Sequence, residues 1–344
     1  MQPVVLFVDD EPNLIAGMKR ATRKFRDKWE MHFAVGAEEA LKIINEKQVN
    51  TVVTDMRMPG IDGAQLLRKI SNDWPGIFRI VLSGEADAIT ACDTVGRSHL
   101  FLSKPCEYEK LFGAIQQPFI RSAELADKGF TGNLAYFDCI RAKSGNLVRL
   151  KSLLNQDTTD MEKICALIMS DPSLAVRVLQ ITNSSYFGRP VYTPSIEKAV
   201  KRLGADVLRA VINADRFGEE FEVPFVGQHE PTETALAAQK IAADMGGEAS
   251  ACALAYSTAL FSNLGKTIPL DASDESELGF RDHADLPVFL AAIMGLPEEL
   301  LKSMDHVQSH RSKDWDPAQV AQLAAIGAIA NVSNTLKVTK SEQK

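Results

Sequence analysis

The stretch TVVTDMRMPGIDG, residues 51–63, joins a β-branched run to an aspartate and then to a turn that contains proline and glycine. Val52 and Val53 favour an extended strand, and Asp55 falls where that strand should end. A segment with helical periodicity follows at residues 64–71. The stretch therefore predicts a strand, a turn and a helix in succession, with a carboxylate at the carboxyl end of the strand.

The same alternation continues on both sides of this unit, from residue 1 to about residue 122. Each strand-like run is followed by a helical segment, and successive units of this kind need crossover connections. We therefore predict a doubly wound α/β domain, with five parallel strands and helices on both faces. The runs are VVLFV (4–8), MHFAV (31–35), TVVTD (51–55), FRIVLS (78–83) and HLFLS (99–103), and the helical segments lie near 13–26, 37–47, 64–71, 86–96 and 107–120.

The chain beyond residue 122 has helical periodicity and little strand signal, which predicts an all-helical second domain. We assign residues 1–122 to the first domain, residues 123–140 to a linker and residues 141–335 to the helical domain. The first part of the linker can also extend the preceding helix. Residues 336–344 have no core-forming pattern, and we expect them to form a frayed tail.

Capping residues predict several helix boundaries in the second domain. Thr159 and Glu162 have the spacing of a capping box at a helix start. Asp171 and Pro172 should end one helix and begin the next, as N-cap and first-turn proline. Gly204 should close a further helix.

Composition sets limits on the class of protein. The 344 residues are 45% apolar and 24% charged, a balance that allows substantial buried cores. The net charge of −7 argues against a large nucleic-acid-binding face. Residues 19–28 form a basic run, which we interpret as the solvated face of an early amphipathic helix, with a local patch as the alternative.

The sequence predicts a cytoplasmic protein. Its first residues, MQPVVLFVDDEP, lack the basic region of a signal peptide. No stretch reaches the roughly 20 apolar residues that span a bilayer, so we expect no membrane association. The five cysteines are scattered and odd in number, which favours reduced thiols over a disulfide framework or a zinc site.

Acidic residues follow the predicted first and third strands. Asp9, Asp10 and Asp55 should therefore meet at one edge of the sheet, where open parallel sheets bind ligands. Their mutual repulsion would be offset by a hard cation, and Mg²⁺ fits because it takes one or two carboxylates and keeps several waters. Ser83 and Lys104 add a hydroxyl and an ammonium after the fourth and fifth strands, as phosphoryl transfer to an aspartate requires.

Each of these residues has another interpretation when it is considered alone. Asp9 or Asp10 could cap a helix, Ser83 could cap a strand end, and Lys104 could be a surface charge. Their occurrence at the carboxyl ends of successive strands favours a common site. We therefore predict formation of an aspartyl phosphate at Asp55.

Residues 1–122 resemble the receiver domain of response regulators, a flavodoxin-like fold. FVDDEP (7–12), TDMRMPGIDG (54–63), VLSG (81–84) and LSKP (102–105) match the family's motifs in order and spacing. The resemblance implies roles for individual residues. These are Asp9 and Asp10 as metal-site acids, Asp55 as phosphoacceptor, the backbone carbonyl of Arg57 as metal ligand, Ser83 and Lys104 as ligands of the phosphoryl oxygens, Phe101 as the switch aromatic, Gly84 as room for the phosphodonor, and Pro105 as a cis proline.

The resemblance also implies the partners of the first domain. A sensor histidine kinase or a phosphotransfer protein would supply the phosphoryl group. A phosphorylation-dependent homodimer is a further expectation. The receiver would catalyse only its own aspartyl phosphorylation and dephosphorylation.

The second domain resembles HDOD output domains, relatives of the HD-type metal phosphohydrolases, over about residues 133–335. The similarity lies in DPSLAVRVLQITNSSYFG (171–188), SIEKAVKRLG (195–204) and HADLPVFLAAIMGLPEELLKSMDHVQSH (283–310). Catalytic relatives carry a His-Asp pair of metal ligands just before a glycine. Ser262 and Asn263 stand there in ALFSNLG, and neither is a good ligand for a hydrolytic transition metal. The resemblance therefore implies a non-catalytic domain without a cofactor, which binds an unidentified protein.

Other interpretations of the second domain remain open. One is a phosphohydrolase or phosphodiesterase gated by the receiver, with an atypical metal site. His306 and His310 could share a helix face, and His283 matches a family position, although structural or surface roles are favoured for all three. The polar cluster at residues 183–185 is interpreted as helix capping and turn hydrogen bonding, with a ligand site as the alternative. A transcription factor would need a helix-turn-helix with a basic recognition helix, and the sequence contains none that we recognise.

Overall fold

The computed structural model describes residues 2–84, 97–126, 140, 142–143, 145–156, 158–184, 192–213, 220–221, 231–267, 286–311 and 316–342. The chain divides into two compact units. One comprises residues 1–139 and 184–190, and the other comprises residues 140–183 and 191–344.

The first unit contains the predicted parallel sheet, with strands in the order β2-β1-β3-β4-β5. Its strands are β1 (Val4–Asp9), β2 (Glu30–Val35), β3 (Thr51–Asp55), β4 (Phe78–Ser83) and β5 (Leu100–Ser103). The described helices are α1 (Pro12–Ala21), α2 (Ala37–Glu46), α3 (Gly63–Asp73) and α4 (Tyr108–Ala126). The doubly wound α/β prediction is confirmed, and the helix predicted at 86–96 lies outside the described residues.

Strand register places the acidic residues side by side. β1 and β3 are neighbours in the sheet, and Val8 pairs with Thr54. The next residue of each strand is therefore Asp9 or Asp55, at the point where the strand order reverses. Both faces of the central strands are buried, which explains the unbroken apolar runs that predicted them.

The basic run departs from the single helix that was predicted. α1 ends at Ala21, and a 3₁₀ turn occupies Thr22–Phe25. The Phe25 ring packs against Phe112 of α4 and against Trp29, with centroid separations of 4.3 and 5.1 Å. These tertiary contacts override helical periodicity, so the second half of the run lies beyond the helix.

α4 extends past the predicted first domain. It continues to Ala126, so the first part of the predicted linker is helical. Pro118 lies inside this helix and is buried. A proline has no backbone N–H, so the carbonyl of Ala114 lacks its intrahelical donor.

Among its described residues, the second unit is helical apart from one short parallel pair of strands, β6 (Ala142–Lys143) and β7 (Glu220–Phe221). Two-residue strands carry no periodic signal, so an all-helical prediction missed them. The helices are α5 (Asn146–Leu154), α6 (Met161–Met169), α7 (Pro172–Asn183), α8 (Ile196–Asn213), α9 (Pro231–Asp244), α10 (Ala249–Phe261), α11 (Leu286–Ile293), α12 (Glu298–His310) and α13 (Pro317–Glu342), with a 3₁₀ turn at Leu264–Thr267.

α7 is the buried centre of this unit. All of its residues are buried, from Pro172 to Asn183. Oδ1 of Asp171, which is 1% exposed, accepts hydrogen bonds from the amides of Ser173 and Leu174, as an N-cap should. Oδ2 accepts from the amide of Lys143 and from Nδ2 of Asn146, so the same carboxylate joins α7 to β6 and α5.

Three other boundaries can be compared with the sequence predictions. The N-cap of α6 is Asp160, whose carboxylate accepts from the amides of Glu162 and Lys163. The capping box predicted at Thr159 is therefore wrong by one residue. Gly204 interrupts α8 with a φ of 71°, where a helix end was predicted. α13 continues through most of the tail expected to fray, because no proline or glycine after Gly327 ends it.

No single helix among the described residues is long and apolar enough to cross a bilayer. One pair, Met161–Met169 with Pro172–Asn183, reaches the required length and composition together, but it is bent by 111°.

The four hydrogen bonds to Asp171 predict a large effect of its removal. Asp171→Ala should lower the free energy of unfolding by about 2–4 kcal/mol, since two backbone amides of α7 and two donors of other elements lose a charged acceptor. The measurement is urea unfolding followed by far-ultraviolet circular dichroism. Asp160→Ala is the matched control, and loss of this partly exposed cap should cost less, because the amides that it accepts from both belong to α6. Equal losses would show that the bonds to β6 and α5 contribute nothing.

Candidate functional site

The candidate site lies at the carboxyl edge of the sheet, where β1 and β3 end. Asp9 is 1% exposed and Asp55 is 9% exposed. Oδ1 of Asp9 accepts from the amide of Glu11 at 2.9 Å, and Oδ2 of Asp55 accepts from the amide of Arg57 at 2.7 Å. These bonds orient each carboxylate with its other oxygen toward β5.

Lys104 holds the two remaining oxygens. Its Nζ donates to Oδ2 of Asp9 at 2.7 Å and to Oδ1 of Asp55 at 2.5 Å. The residue directly follows β5, and the Lys104–Pro105 peptide bond is cis. One ammonium therefore bonds two buried carboxylates from different strands and offsets one of their two negative charges.

The surroundings change the pKa of Lys104 in opposite directions. Burial is the largest single influence and lowers the pKa, but the hydrogen bonds and charges of Asp55 and Asp9 together raise it above its usual value. The ammonium is therefore charged at neutral pH. Its contribution to stability is complete below the unfolded-state pKa of about 10.4 and is lost as the pH rises through the higher folded-state pKa.

The donor atoms present suit a hard divalent cation. Asp10 is partly buried beside Asp9, and its carboxylate has no hydrogen-bond or ion-pair partner among the described residues. Oxygens of Asp9 and Asp55 already share one cationic group, so a small ion could contact both. Mg²⁺ prefers such carboxylates and completes its shell with water. The described residues contain no preformed group of three metal-binding side chains, so Asp9, Asp10 and Asp55 as a set of metal ligands stay a prediction.

The remaining receiver residues are placed less completely. Ser83 ends β4 and pairs with Ser103, but its side chain is not among those described. Phe101 is buried in β5, and Gly84 has open space around the position of a Cβ. Arg57 contributes its amide to Asp55, while the role of its carbonyl stays a prediction.

Gly63 is a site residue that the sequence analysis missed. A Cβ at this position would lie 2.2 Å from the carbonyl oxygen of Asp55 and 2.8 Å from Cα of Met56. The amide of Gly63 also donates to the carbonyl of Met56, and Asp62 caps α3 just before it. Only a glycine lets α3 start this close to Asp55. The clue in the sequence was a glycine directly before the helical segment predicted at residues 64–71.

In the second unit, Ser262 and Asn263 lie at the end of α10 and are both buried. The Ser262 hydroxyl donates to the carbonyl of Thr258 at 2.9 Å, and the same carbonyl accepts from the amide of Ser262. The cavity beside Ser262 is small. The centre of a water molecule can move within about 10 Å³ of it, so the cavity holds a single water. It is lined by Ser262, Pro287, Val288, Met304, Val307, Gln308 and Arg311.

The histidines of this unit do not form a ligand set in the described residues. The rings of His306 and His310 stack with centroids 4.4 Å apart, and Nδ1 of His310 bonds to the carbonyl of His306. Nε2 of His306 is buried without a partner, and burial, followed by the nearby His310, lowers the pKa of His306. His283 lies outside the described residues, and no group of three metal-binding side chains among the described residues includes His306 or His310.

The polar cluster at the end of α7 connects backbone segments. Nδ2 of Asn183 donates to the carbonyls of Leu179 and Thr193, and Oδ1 accepts from the amide of Thr193. Asn183 therefore closes the helix end against the chain that leads to α8. Ser185 lies outside the described residues.

Two family models match the chain. The model described as response regulator receiver domain matches residues 5–116, and the model described as HDOD domain matches residues 143–285. Each matched segment falls inside one of the two domains assigned from the sequence.

Curated relatives and solved structures match mainly the first part of the chain. The transcriptional regulatory protein GlrR of Escherichia coli K12 is 26% identical over 194 residues, which are 56% of this chain and 39% of GlrR. YesN of Bacillus subtilis, an uncharacterized transcriptional regulatory protein, is 31% identical over 33% of this chain and 31% of its own length. The chain thus spans less than two fifths of either relative.

Among solved structures, the receiver domain of an HD domain-containing protein from Pseudomonas fluorescens Pf-5 is 28% identical. The match covers 34% of this chain and 94% of the Pseudomonas fluorescens chain, with a TM-score of 0.32. A response regulator receiver protein from Pseudomonas putida is 30% identical and covers 34% of this chain and 98% of its own, with a TM-score of 0.30.

The close approach of Gly63 predicts a position-specific effect of an added methyl group. Gly63→Ala should destabilise the first unit by at least about 2 kcal/mol, because the clash is with backbone atoms at the end of β3. Gly113→Ala is the matched control, since Gly113 is exposed on α4 with open space around a Cβ, and it should be stabilising by about 0.5–1 kcal/mol. Thermal unfolding measures both. A neutral Gly63→Ala would contradict the packing described here.

Proposed function

This chain joins a response regulator receiver domain to an HDOD domain, and from that composition we propose that it is a two-component response regulator. Mg²⁺-dependent phosphorylation of Asp55 controls the HDOD domain, which acts by binding another protein. The observation that carries this proposal is the ammonium of Lys104 held between Asp9 and Asp55. It brings a nucleophilic carboxylate, a second acid and a cation to one edge of the sheet.

Phosphorylation uses Asp55 as the nucleophile. A carboxylate oxygen forms a bond to phosphorus while the bond from phosphorus to the donor breaks, and the donor leaves with the electron pair of that bond. Asp9, Asp10, Asp55 and the carbonyl of Arg57 would hold Mg²⁺, which would supply charge neutralisation for the phosphoryl oxygens. The chain itself supplies positioning, since the amide of Arg57 fixes one oxygen of Asp55.

The phosphoryl group would redistribute the contacts of Lys104. It adds roughly −1.5 to −2 charges and three acceptor oxygens, which compete with Asp9 and Asp55 for the ammonium. α4 begins four residues after Lys104, so a shift of this lysine acts directly on the start of that helix. The Ser83 hydroxyl would bind a phosphoryl oxygen, and Phe101 would be the aromatic side chain that responds to the switch. Complete switching from 1:99 to 99:1 needs about 5.5 kcal/mol.

The HDOD domain would be a binding module and not an enzyme. Ser262 and Asn263 occupy the positions of the His-Asp metal ligands of catalytic relatives, and neither side chain is a suitable transition-metal ligand. The Ser262 hydroxyl is engaged with Thr258, and the adjoining cavity holds about one water. These observations support an output that works through protein contacts and needs no cofactor.

The partners follow from the two domains. A sensor histidine kinase or a phosphotransfer protein would donate the phosphoryl group in the cytoplasm. An unidentified protein would bind the HDOD domain, and nucleic acid is not expected to do so. A phosphorylation-dependent homodimer is also proposed, and light scattering with and without beryllofluoride would detect it as a doubling of mass.

The phosphoacceptor can be tested with a small donor. Asp55→Asn should abolish covalent labelling of the full chain by radioactive acetyl phosphate, because the amide is not a nucleophile, and labelling of the unchanged chain should require Mg²⁺. Asp73→Asn is the control, since Asp73 is exposed at the end of α3 and pairs with Lys69. Labelling that persists in Asp55→Asn would move the phosphoacceptor elsewhere.

Metal content separates the binding module from the competing phosphohydrolase. Elemental mass spectrometry of the full chain, purified without chelator, should find far less than one transition metal per chain. Stoichiometric iron, manganese, cobalt or zinc would refute the binding-module proposal and support a metal-dependent hydrolase. Mg²⁺ is not diagnostic in this measurement because the receiver is expected to bind it.

A further inference from the structure

A dense group of cations lies at the end of α1 and in the turn that follows it. The segment KRATRKFRDK, residues 19–28, contains six cationic side chains and one carboxylate, in a chain whose net charge is −7. All six cationic side chains are exposed. We call this group the basic patch, and it consists of Lys19, Arg20, Arg23, Lys24, Arg26 and Lys28.

Most of the basic patch is not neutralised within the described residues. Lys24 forms an ion pair with Glu109 of α4, with Nζ 2.8 Å from Oε1. The other five cations have no ion-pair partner among the described residues. The negative end of the α1 dipole accounts for Lys19 and Arg20 only, since the rest lie beyond the helix. Unpaired like charges this close repel one another, so a bound anion would reduce the electrostatic repulsion within the patch.

The end of the basic patch lies toward the edge of the sheet where the strands begin. α1 begins just after Asp9 and Asp10 and runs back toward the start of β2. Gln2, two residues before β1, donates its side-chain amide to the carbonyl of Asp27. The end of the patch therefore lies near the edge of the sheet where the strands begin. Lys24, earlier in the patch, instead contacts Glu109 in the first turn of α4.

The backbone beneath the basic patch is held in place by aromatic packing. The indole of Trp29 is 4% exposed and stacks on Phe25, and both rings pack against Phe112. The side chains of Arg23, Lys24, Arg26 and Lys28 thus project from an anchored segment. A ligand would pay for ordering side chains but not for ordering this backbone.

We propose that the basic patch is a docking surface for a carboxylate-rich segment of another protein. The anion that the described structure places on the patch is a carboxylate, that of Glu109, whose pKa is lowered by its hydrogen bond from Lys24. The patch is small, and the rest of the chain is strongly acidic, which disfavours a long nucleic acid. The same net charge makes two copies of the chain repel each other at long range, which disfavours self-association through this surface.

The test uses the full chain and a fluorescently labelled oligoglutamate peptide, with binding followed by fluorescence anisotropy at low salt. The double variant Arg23→Glu/Arg26→Glu should weaken binding on the order of tenfold, because two attractions become two repulsions. Raised salt should weaken binding to the unchanged chain as well. Neither arginine belongs to the phosphorylation site.

The matched control is Lys42→Glu/Arg68→Glu, which makes the same change in net charge. Lys42 on α2 and Arg68 on α3 are exposed and have no ion-pair partner among the described residues. This control should change affinity less than about twofold. Equal weakening by both double variants would mean that only net charge matters, and it would overturn the proposal.

Two further outcomes would also overturn it. Absence of oligoglutamate binding at low salt would show that the patch is only a solvated surface. Tighter binding of an oligothymidylate of equal charge, lost in Arg23→Glu/Arg26→Glu, would assign the patch to nucleic acid. Light scattering of the unchanged chain provides the check on self-association, and a dimer abolished by the same variant would assign the patch to a second copy.

Discussion

The ammonium of Lys104 between two buried carboxylates is the interaction on which the first unit depends. Asp9 and Asp55 sit side by side because β1 and β3 are neighbours, and without a shared cation their repulsion would oppose that register. In the proposed function, the same arrangement would let the site respond to phosphorylation. An ammonium that already bonds two acceptors can turn to a third at modest cost, because it exchanges one hydrogen bond for another.

The sequence was informative wherever a pattern of residues reflects the local backbone. Strand bounds, the pairing of acidic residues at strand ends and the cap at Asp171 follow from alternation, from sheet topology and from capping chemistry. Features that depend on distant contacts were not predicted. The early end of α1 is set by packing against Phe112, far along the chain. The requirement that residue 63 have no Cβ is visible only when α3 lies against the end of β3.

The second unit shows the same division between local and distant causes. The change from Thr159 to Asp160 as N-cap is a competition between adjacent residues, which spacing alone does not decide. β6 and β7 pair across a long stretch of sequence, and each contributes only two residues. Asp171, by contrast, was predicted as a helix cap from local sequence, and the structure adds its hydrogen bonds to Lys143 and Asn146. The prediction of Ser262 and Asn263 as a lost metal site came from resemblance to a family, and composition alone would not have found it.

The proline inside α4 has a practical consequence for modular engineering. The receiver family match ends at residue 116, yet the helix continues to Ala126 and buries Pro118 just past that limit. A chimera cut at the family limit would divide one continuous helix and discard a buried side chain. A transplantable cassette should therefore carry the receiver through Ala126, so that the graft junction falls after the helix and not within it.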